Sequence, residues 1–314
     1  MKISVIFTGG TIGSDYSGKA GFISPSASPP DRLHAFFEAA AKRHSFEFYT
    51  PVNTLSENMT AQKLNSVIKC AKDAAAHSDA LIITHGTDSL AYSSAALGYT
   101  LFDLQIPTVI VSSSYILSDP RANGLENLSG ALCFIEAGAG AGVFVSYDGI
   151  IHRGTRLCPP RAYSDKCESV LGAVYGYIEN GAFRRNSVYY ELNNAFLPYS
   201  ELQTGRKILV IPPLPDCSYD CYRLDCDAVL QLSYHSGTVG TENNAFIRFC
   251  NGLKERKIPI FLHGSYSGAE YESKAAFESL GLTVLPVMSA AAAYMKLMAA
   301  DFKNAAKPLG GDII

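Results

Sequence analysis

The sequence predicts an α/β protein, with a larger N-terminal domain built on a mostly parallel, Rossmann-like sheet and a smaller C-terminal parallel α/β domain. Three observations predict this class. Short apolar runs rich in β-branched residues alternate with alanine-rich stretches of helical length, which is the pattern of successive β-α-β units. The same alternation returns in the last third of the chain. A length of 314 residues also suffices for two separate cores.

The N-terminal domain is predicted over residues 1–182, where strands and helices alternate. The strands are expected at 2–8, 80–84, 108–112 and 142–146, and the helices at 30–43, 60–77, 89–103 and 123–137. Several of these helices follow serine, threonine or aspartate, which are common N-cap residues.

A segment without a regular hydrophobic pattern separates the two predicted domains. Residues 183–206 have no sustained periodicity and contain turn-forming Asn, Pro and Gly, so we predict a linker there. The C-terminal domain then covers residues 207–314. Its strands are expected at 207–212, 228–232, 258–262 and 282–286, and its helices at 241–255, 270–280 and 289–302.

Composition narrows the classes of function. The net charge is −3 and 18% of residues are charged, so no bias favours nucleic acid or a membrane surface as a partner. The apolar run at residues 1–7 is too short for a signal peptide, which predicts a cytoplasmic protein.

Eight cysteines without a C-x-x-C pair fit a reducing compartment. Cys217, Cys221 and Cys226 lack histidines at zinc spacing, so ordinary thiols are favoured over a metal site. We predict neither metal nor cofactor.

A glycine-rich turn, TGGTIG at residues 8–13, follows the first predicted strand. It places Thr11 at the carboxyl end of a parallel strand, where open α/β sheets bind ligands. The turn matches neither common nucleotide-binding pattern, so an ordinary strand-to-loop turn is the alternative. A threonine hydroxyl needs a nearby base and oxyanion donors to act as a nucleophile. The polar, glycine-rich residues 14–24 suit either a mobile lid or a plain surface loop.

A second motif, HGTDS at residues 85–89, lies at another strand-to-helix junction. Thr87 supplies a second hydroxyl, and Asp88 places a carboxylate beside it. Asp88 either caps the helix that starts near Ser89 or binds the ammonium group of a ligand. His85 is predicted to be structural. Two such threonines predict hydroxyl-centred catalysis, in which one attacks and the other deprotonates.

Together the two motifs resemble those of the bacterial-type L-asparaginases, which are amidohydrolases with a T-G-G-T-I and an H-G-T-D signature. The resemblance extends along most of the chain, through segments at 56–59, 121–128, 153–156, 174–178 and 234–238. It implies hydrolysis of the side-chain amide of L-asparagine, or of a close small amide, to aspartate and ammonia. No cofactor is implied.

The resemblance also implies roles for individual residues. Thr11 attacks the amide and water then hydrolyses the aspartyl ester, while Thr87 acts from the opposite side with Asp88 and a lysine. Ser56 and Asp88 hold the α-carboxylate and α-ammonium groups, and backbone N–H groups stabilise the oxyanion. The implied substrate-binding residues are Gly10, Ser56, Glu57, Gly86, Thr87, Asp88 and Ser113.

Two activating residues of the family are missing from their expected positions. The lid tyrosine falls on Phe22, which has no hydroxyl, and Tyr16 in the same loop is the possible substitute. The catalytic lysine falls on Pro159. Nearby, Arg161 offers only positive charge, because arginine keeps its proton, whereas Lys166 offers charge or a base.

A third departure follows the third predicted strand. Tyr115 and Ile116 stand where the family usually has an Arg-Pro pair, and Asn123 replaces a common acidic residue.

Three functions therefore stay open. The first is an asparaginase-like amidohydrolase. The second is a degenerate relative that binds an acidic amino acid with little or no turnover, which the missing tyrosine and lysine favour. The third is an amidotransferase component that feeds ammonia to a tRNA-linked reaction. That alternative is disfavoured, since such components carry an extra N-terminal module and this sequence begins at the first strand.

Preference for asparagine over glutamine depends on about one methylene of pocket depth.

An oligomer is also expected from the resemblance. The family forms homodimers or homotetramers in which a second protomer completes each site. The residues expected to cross over are Ser236, Thr238, Glu242 and Asn243. Alternatively, residues 241–243 are an ordinary helix start.

Overall fold

Two sheets of mostly parallel strands organise the chain, as the sequence predicts. A computed structural model describes residues 1–17, 22–26, 30–196, 198–264 and 271–314. The strands of the N-terminal region are β1 Lys2–Phe7, β2 Ser14–Ser17, β3 Phe22–Pro25, β4 Ser45–Tyr49, β5 Ala80–Thr84, β6 Pro107–Val111, β7 Gly142–Tyr147, β8 Ile150–Arg153, β9 Gly176–Glu179 and β10 Ala182–Arg185. The strands that follow are β11 Ile208–Ile211, β12 Ala228–Leu232, β13 Ile260–His263 and β14 Leu282–Val284.

The larger sheet has eight strands in the order β10-β9-β8-β7-β6-β5-β1-β4. Its half from β4 to β7 is parallel, and the strands from β7 to β10 pair antiparallel. The smaller sheet, β11-β12-β13-β14, is parallel throughout. β2 and β3 form a separate hairpin. The predicted fold class is therefore confirmed.

Seven α-helices cover these sheets in the described part of the chain. They are α1 Asp31–Ala40, α2 Ala61–Ala75, α3 Leu90–Thr100, α4 Gly124–Glu136, α5 Asn244–Glu255, α6 Ala275–Leu280 and α7 Ala290–Ala299. Each corresponds to a predicted helix, although residue 270 of the range predicted for α6 lies outside the described residues. No helix among the described residues has the length and hydropathy needed to span a bilayer.

Alternating side chains of the central strands fill a core on each face of the larger sheet. Ile83 and Ile110 belong to one core, which contains residues of α2 and α3. Ile82 and Val109 belong to the other, which contains residues of α1 and α4. Every residue of β5 is buried, as expected for a parallel strand covered on both faces.

Four strands of the larger sheet, β4 and β8–β10, are absent from the sequence-based expectation. β4 lies at the sheet edge and carries Glu47 between the half-buried Phe46 and the exposed Phe48, so its pattern is weak. β10 spans the 182/183 boundary between the predicted N-terminal domain and linker. The division of the chain into domains stays a prediction. Residues 18–21 of the predicted lid lie outside the described residues.

The last six residues, 309–314, form a C-terminal tail that packs against the turn after β8. The Thr155 hydroxyl donates to the carbonyl of Gly310 at 2.8 Å, and the Arg156 guanidinium donates to the carbonyl of Gly311 at 2.6 Å. Arg156 is 1% exposed. Burying a guanidinium is costly unless its donors are satisfied, so these contacts tie the tail to the larger sheet.

Burial of His152 in β8 predicts a pH-dependent stability. Its Nδ1 hydrogen-bonds with Ser169 Oγ at 2.8 Å, Nε2 has no partner among the described residues, and burial lowers its pKa from 6.5 to about 4. Unfolding exposes a ring that binds a proton below pH 6.5. The free energy of unfolding should therefore fall as the pH drops from about 6.5 to about 4, by about 3 kcal/mol in total.

Urea denaturation at about pH 7 and pH 5 measures this effect. Here His152→Gln should remove about 2 kcal/mol of the pH dependence. Equal pH dependence in the wild-type protein and the variant would show that the buried imidazole is not its source.

Candidate active site

The two glycine-containing motifs touch at Gly10 and Gly86. Gly10 has φ of 71°, and a Cβ added to it would overlap the backbone nitrogen of Gly86. A Cβ on Gly86 would lie 3.1 Å from the Gly10 Cα. Only glycine allows this backbone approach. Thr11 directly follows Gly10, and Thr87 directly follows Gly86. Consecutive Cα atoms are ~3.8 Å apart, so the contact between the glycines also brings the two threonines close together.

Hydrogen bonds from neighbouring strands hold this junction in place. The Thr8 hydroxyl donates to the carbonyl of Thr84 at 2.7 Å, which joins the ends of β1 and β5. The Gly10 N–H donates to the carbonyl of Thr54 at 2.9 Å. Ser14 Oγ donates to the carbonyl of Gly10 at 2.7 Å. The turn is therefore fixed on three sides.

Ser56 and Asp88 lie together at the same junction. Ser56 is 3% exposed, and its hydroxyl donates to Asp88 Oδ2 at 2.9 Å. The Asp88 N–H donates to the Ser56 Oγ at 3.2 Å. α3 begins at Leu90 without a side-chain cap, so the carboxylate of Asp88 does not cap this helix. The carboxylate of Asp88 stays exposed and is available to a cation.

A cavity of about 460 Å³ opens beside Thr87 and Asp88. Its wall combines the start of α3, the ends of β6 and β7 and the loop 157–167 that follows β8. The lining residues are Thr87, Asp88, Leu90, Ala91, Ser114, Tyr147, Leu157, Cys158, Arg161, Tyr163, Asp165, Lys166 and Cys167, with Pro160, Ala162 and Ser164. Of the two motif threonines, only Thr87 belongs to this wall; Thr11 is half-buried at the junction next to it.

The loop 157–167 brings Lys166 to the cavity that contains Thr87. The side chain of Lys166 is exposed, and its ammonium has no hydrogen-bond or ion-pair partner among the described residues. Arg161, in contrast, forms an ion pair with Glu168 at 3.0 Å. Pro159, at the position of the family's lysine, is absent from the described wall. Lys166 is thus a cavity-lining cation that forms no ion pair with a described residue, in a wall that also contains the carboxylates of Asp88 and Asp165.

Burial keeps two thiols and one phenol of the wall neutral. It raises the pKa of the Cys158 thiol, raises that of Cys167 to about 12, and raises that of the Tyr147 phenol. The hydroxyls of Tyr147 and Ser114 share a hydrogen bond. These thiols are therefore weak nucleophiles.

His85 is fully buried behind the junction. Its Nδ1 hydrogen-bonds with the carbonyl of Gly86 at 2.7 Å, and burial lowers its pKa. It is not among the residues that line the cavity. A neutral imidazole that holds the Gly86 carbonyl fits the predicted structural role.

Tyr16, the described tyrosine of the predicted lid, is not among the residues that line the cavity. Tyr16 pairs with Ile23 across the β2–β3 hairpin and is 60% exposed. A hydrogen bond with Asp119 is the main cause of the raised pKa of Arg121, and the Tyr16 phenol makes a smaller electrostatic contribution to it. Phe22 occupies β3 in the same hairpin.

Two further predicted binding residues have different environments. Ser113 is buried, and its hydroxyl donates to the carbonyl of Tyr115 at 2.6 Å. Glu57 is exposed in the turn that also contains Ser56.

The segment expected to cross to a second protomer contains a capped helix start. Asn243 Oδ1 accepts hydrogen bonds from the N–H groups of Ala245 at 2.8 Å and Phe246 at 3.3 Å. The hydroxyls of Ser236 and Thr238 lie 3.1 Å apart. Asn243 is therefore the N-cap of α5, and its contribution to a second protomer's site stays a prediction.

Sequence reasoning missed Tyr147, Leu157 and the bond between Tyr115 and Asp165. Tyr115 Oη donates to Asp165 Oδ2 at 3.0 Å and joins the loop after β6 to the loop after β8. Tyr147 ends a parallel strand, so the rule that ligands bind at carboxyl ends could have found it. No local pattern predicts the bond between Tyr115 and Asp165.

Comparisons with known proteins agree with this geometry. A family model described as Asparaginase, N-terminal matches residues 2–164. L-asparaginase 1 of Escherichia coli K12 is 27% identical over 276 residues, 82% of this chain and 78% of that protein. A component of the glutamyl-tRNA(Gln) amidotransferase of Thermoplasma volcanium is 30% identical over 161 residues, 49% of this chain and 39% of that protein. The chain therefore matches well under half the length of that amidotransferase component.

A solved structure supports the fold. The thermostable L-asparaginase from Thermococcus kodakarensis superposes with a TM-score of 0.84 at 23% identity, over 100% of this chain and 99% of that one. At this identity the likeness shows the fold alone. The family model, in contrast, covers more than half of the sequence and includes both threonine motifs. The chain therefore belongs to the asparaginase family of amidohydrolases.

Proposed function

We propose that the protein hydrolyses the side-chain amide of L-asparagine, or of a close small amide, with Thr11 as the nucleophile. The observation that carries this proposal is the contact between Gly10 and Gly86. Thr11 follows the first glycine, and Thr87, which lines the cavity, follows the second. Backbone N–H groups at this junction would stabilise the oxyanion that forms as the amide is attacked.

The reaction proceeds in two displacements. The Thr11 hydroxyl oxygen attacks the amide carbon, its proton passes to the leaving nitrogen, and the C–N bond breaks to release ammonia. Water then attacks the ester carbon, the C–O bond to Thr11 breaks, and the threonine recovers its proton. Thr87 and Asp88, on the cavity side, assist the transfer of protons to the leaving nitrogen and from the attacking water.

Ser56 and Asp88 are proposed to hold the head group of the amino acid. The Asp88 carboxylate is exposed and already accepts a hydrogen bond from Ser56, so it suits an α-ammonium group. The backbone of Gly86 is close to both the Ser56 side chain and the Gly10 backbone, so these residues adjoin the proposed head-group site. Glu57 and Ser113 complete the proposed binding set.

Lys166 is proposed to supply positive charge at the cavity. A lysine acts as a base near neutral pH when burial or a neighbouring cation favours its neutral form. The ammonium of Lys166 is exposed, so its role is electrostatic. Tyr16 lies outside the wall, and we assign no step to it.

A second candidate function is ligand binding with little turnover. The observation that favours it is the absence of a buried lysine or a lid tyrosine in the described cavity wall. Loss of one general base typically costs ~10²–10⁴-fold in rate.

An ammonia-release screen combined with thermal denaturation separates the two candidates. The proposed function predicts ammonia release from asparagine and slower release from glutamine. One extra methylene in the pocket is worth ~1–3 kcal/mol, which corresponds to a difference in kcat/KM of about 10–200-fold. The binding alternative predicts that aspartate raises the melting temperature while no amide releases ammonia. Neither turnover nor a thermal shift with asparagine, glutamine or aspartate would contradict both candidates.

We further propose a cytoplasmic homodimer or homotetramer. All eight cysteines are free, which suits a reducing compartment. Light scattering after size-exclusion chromatography tests the oligomer, and a strict monomer would rule out a shared site.

A further inference from the structure

Three hydroxyl-bearing residues come from the carboxyl ends of adjacent strands in the larger sheet. The end of β5 pairs with the end of β6, and the end of β6 pairs with β7. Thr87 follows β5 by three residues, Ser114 follows β6 by three residues, and Tyr147 is the last residue of β7. Neighbouring strands lie about 4.8 Å apart. All three residues line the same cavity, so their hydroxyls belong to one side of it.

Ser114 is held in place from two directions. Its N–H donates to Asn123 Oδ1 at 3.0 Å, and its hydroxyl shares a hydrogen bond with Tyr147 Oη. The Asn123 amide in turn donates to Asp148 Oδ1 at 2.6 Å. Tyr147 is 2% exposed, and burial raises the pKa of its phenol, so the phenol keeps its hydrogen and can donate it to Ser114 Oγ. The hydrogen of Ser114 is then free for another partner.

The hydroxyls of Ser114 and Thr87 both retain unused hydrogen-bonding capacity. Such a hydroxyl has one donor and two acceptor positions. Ser114 uses one of these for Tyr147, and the Thr87 hydroxyl makes no hydrogen bond to another described residue. The charged side chains of the wall, in contrast, are exposed, and Asp165 already accepts a hydrogen bond from Tyr115. The two hydroxyls therefore suit a small polar molecule at the less exposed side of the cavity.

The second displacement of the proposed reaction needs such a molecule, namely the water that attacks the ester. The ester is attached to Thr11, which is not among the lining residues, whereas Thr87 is. In this reaction the water therefore approaches from the cavity, through the space that ammonia has left. Attack is fast only when the water is oriented towards the carbon, so a residue that holds it contributes directly to the rate.

We propose that Ser114 is a catalytic residue of this second displacement and that Tyr147 is the residue that positions it. The Ser114 hydroxyl donates a hydrogen bond to the oxygen of the attacking water, and Tyr147 keeps the serine in the orientation that allows this. The proposal rests on the proposed amidohydrolase function. It adds two residues that act after ammonia has left.

The step requires water as its only co-reactant. The water oxygen bonds to the ester carbon, and the C–O bond to Thr11 breaks. One hydrogen of the water passes by way of the Thr87 hydroxyl to the Thr11 oxygen, which restores the threonine. The other hydrogen leaves with the new carboxyl group of aspartate. Ser114 and Tyr147 end the step with the hydrogens they had at its start.

Competition between water and hydroxylamine tests this proposal with asparagine as the substrate. The nitrogen of hydroxylamine attacks the same ester and yields β-aspartyl hydroxamate, whereas water yields aspartate. Chromatography measures the ratio of hydroxamate to aspartate at one fixed concentration of hydroxylamine. Both products come from one ester, so the ratio does not depend on which displacement limits the overall rate. Hydroxylamine is the stronger nucleophile, so its attack depends less on a residue that orients it.

Ser114→Ala should raise the ratio of hydroxamate to aspartate about tenfold, because attack by water slows by the equivalent of one hydrogen bond. Tyr147→Phe should raise the ratio by a similar or smaller factor, because the phenol acts through the serine. The double variant should not exceed Ser114→Ala, since loss of the phenol has no further effect once the serine hydroxyl is absent. A merely structural role would slow both products equally and leave the ratio unchanged.

A matched control is Tyr190→Phe, because Tyr190 is 54% exposed and absent from the cavity wall. It should keep the wild-type ratio. An unchanged ratio in both Ser114→Ala and Tyr147→Phe, or an equal loss of both products, would overturn this proposal and leave the proposed function intact. A raised ratio in Ser114→Ala alone would overturn the role of Tyr147. A wild-type protein that forms neither product would overturn the proposed function and this proposal with it.

Discussion

Replacing Thr87 with valine is expected to lower amide turnover by about 10²–10⁴-fold while the fold is retained. Thr87 lines the cavity, and its hydroxyl makes no hydrogen bond to another described residue. Valine matches the shape of threonine and removes only the hydroxyl. The loss should therefore appear in kcat, measured by ammonia release, while the circular dichroism spectrum and melting temperature stay close to those of the wild type.

Two further variants make this prediction specific. Thr87→Ser keeps a hydroxyl and should recover part of the rate. Thr283→Val alters an exposed threonine of β14 and should leave turnover unchanged. If Thr87→Val hydrolyses asparagine as fast as the wild-type protein, the Thr87 hydroxyl takes no part in the reaction.

Replacing Asp312 with alanine is expected to lower the free energy of unfolding by about 3–5 kcal/mol. Asp312 is 0% exposed and forms an ion pair at 2.7 Å with Lys296, which is 1% exposed. The Asp312 carboxylate also accepts hydrogen bonds from Tyr99 Oη at 2.9 Å and from the Leu309 N–H at 3.0 Å. Without it, Lys296 keeps a buried charge whose described partner is the carbonyl of Lys307.

Urea denaturation measures this loss, and Asp301→Ala is the matched control. Asp301 pairs with Lys303 at 4.0 Å on the surface, so its removal should cost less than about 1 kcal/mol. The double variant Asp312→Leu with Lys296→Met should recover much of the stability, because it leaves no unpaired charge. A loss in Asp312→Ala no larger than in Asp301→Ala would contradict the structural role of the ion pair.

The Asp312 contacts also connect the C-terminal tail to the site. Tyr99 belongs to α3, and α3 begins directly after the second threonine motif. Lys296 belongs to α7, which packs on α3. A buried ion pair between these helices and the tail therefore supports the element that positions Thr87.

The parallel core of the fold could be predicted from the sequence, because its signals are local. β1 and β5–β7 are mostly apolar and almost wholly buried, and amphipathic or alanine-rich helices separate them. The antiparallel strands β9 and β10 are short and partly exposed, and β8 is buried but ends in His152 and Arg153. None of the three therefore has the apolar run that marks a buried strand. Their pairing depends on contacts between distant parts of the chain.

The motif residues of the proposed site could be predicted from the sequence, but the cavity wall could not. The motifs identified Thr11, Thr87, Asp88 and Ser56, because each lies in a turn that follows a recognisable strand or precedes a helix. The cavity wall was not predictable, because Lys166 reaches it through a loop whose path depends on the bond between Tyr115 and Asp165. A sequence shows that Pro159 has replaced a lysine, but not which side chain occupies the space.

Ammonia release from asparagine by Thr11→Ala tests the central claim most directly. The claim is that the hydroxyls of Thr11 and Thr87 serve one amide site at the Gly10–Gly86 contact. The account predicts that the wild-type protein releases ammonia and that Thr11→Ala loses at least about 10³-fold in rate, as expected when a nucleophile is removed. Equal rates of ammonia release from the wild-type protein and the variant would contradict it.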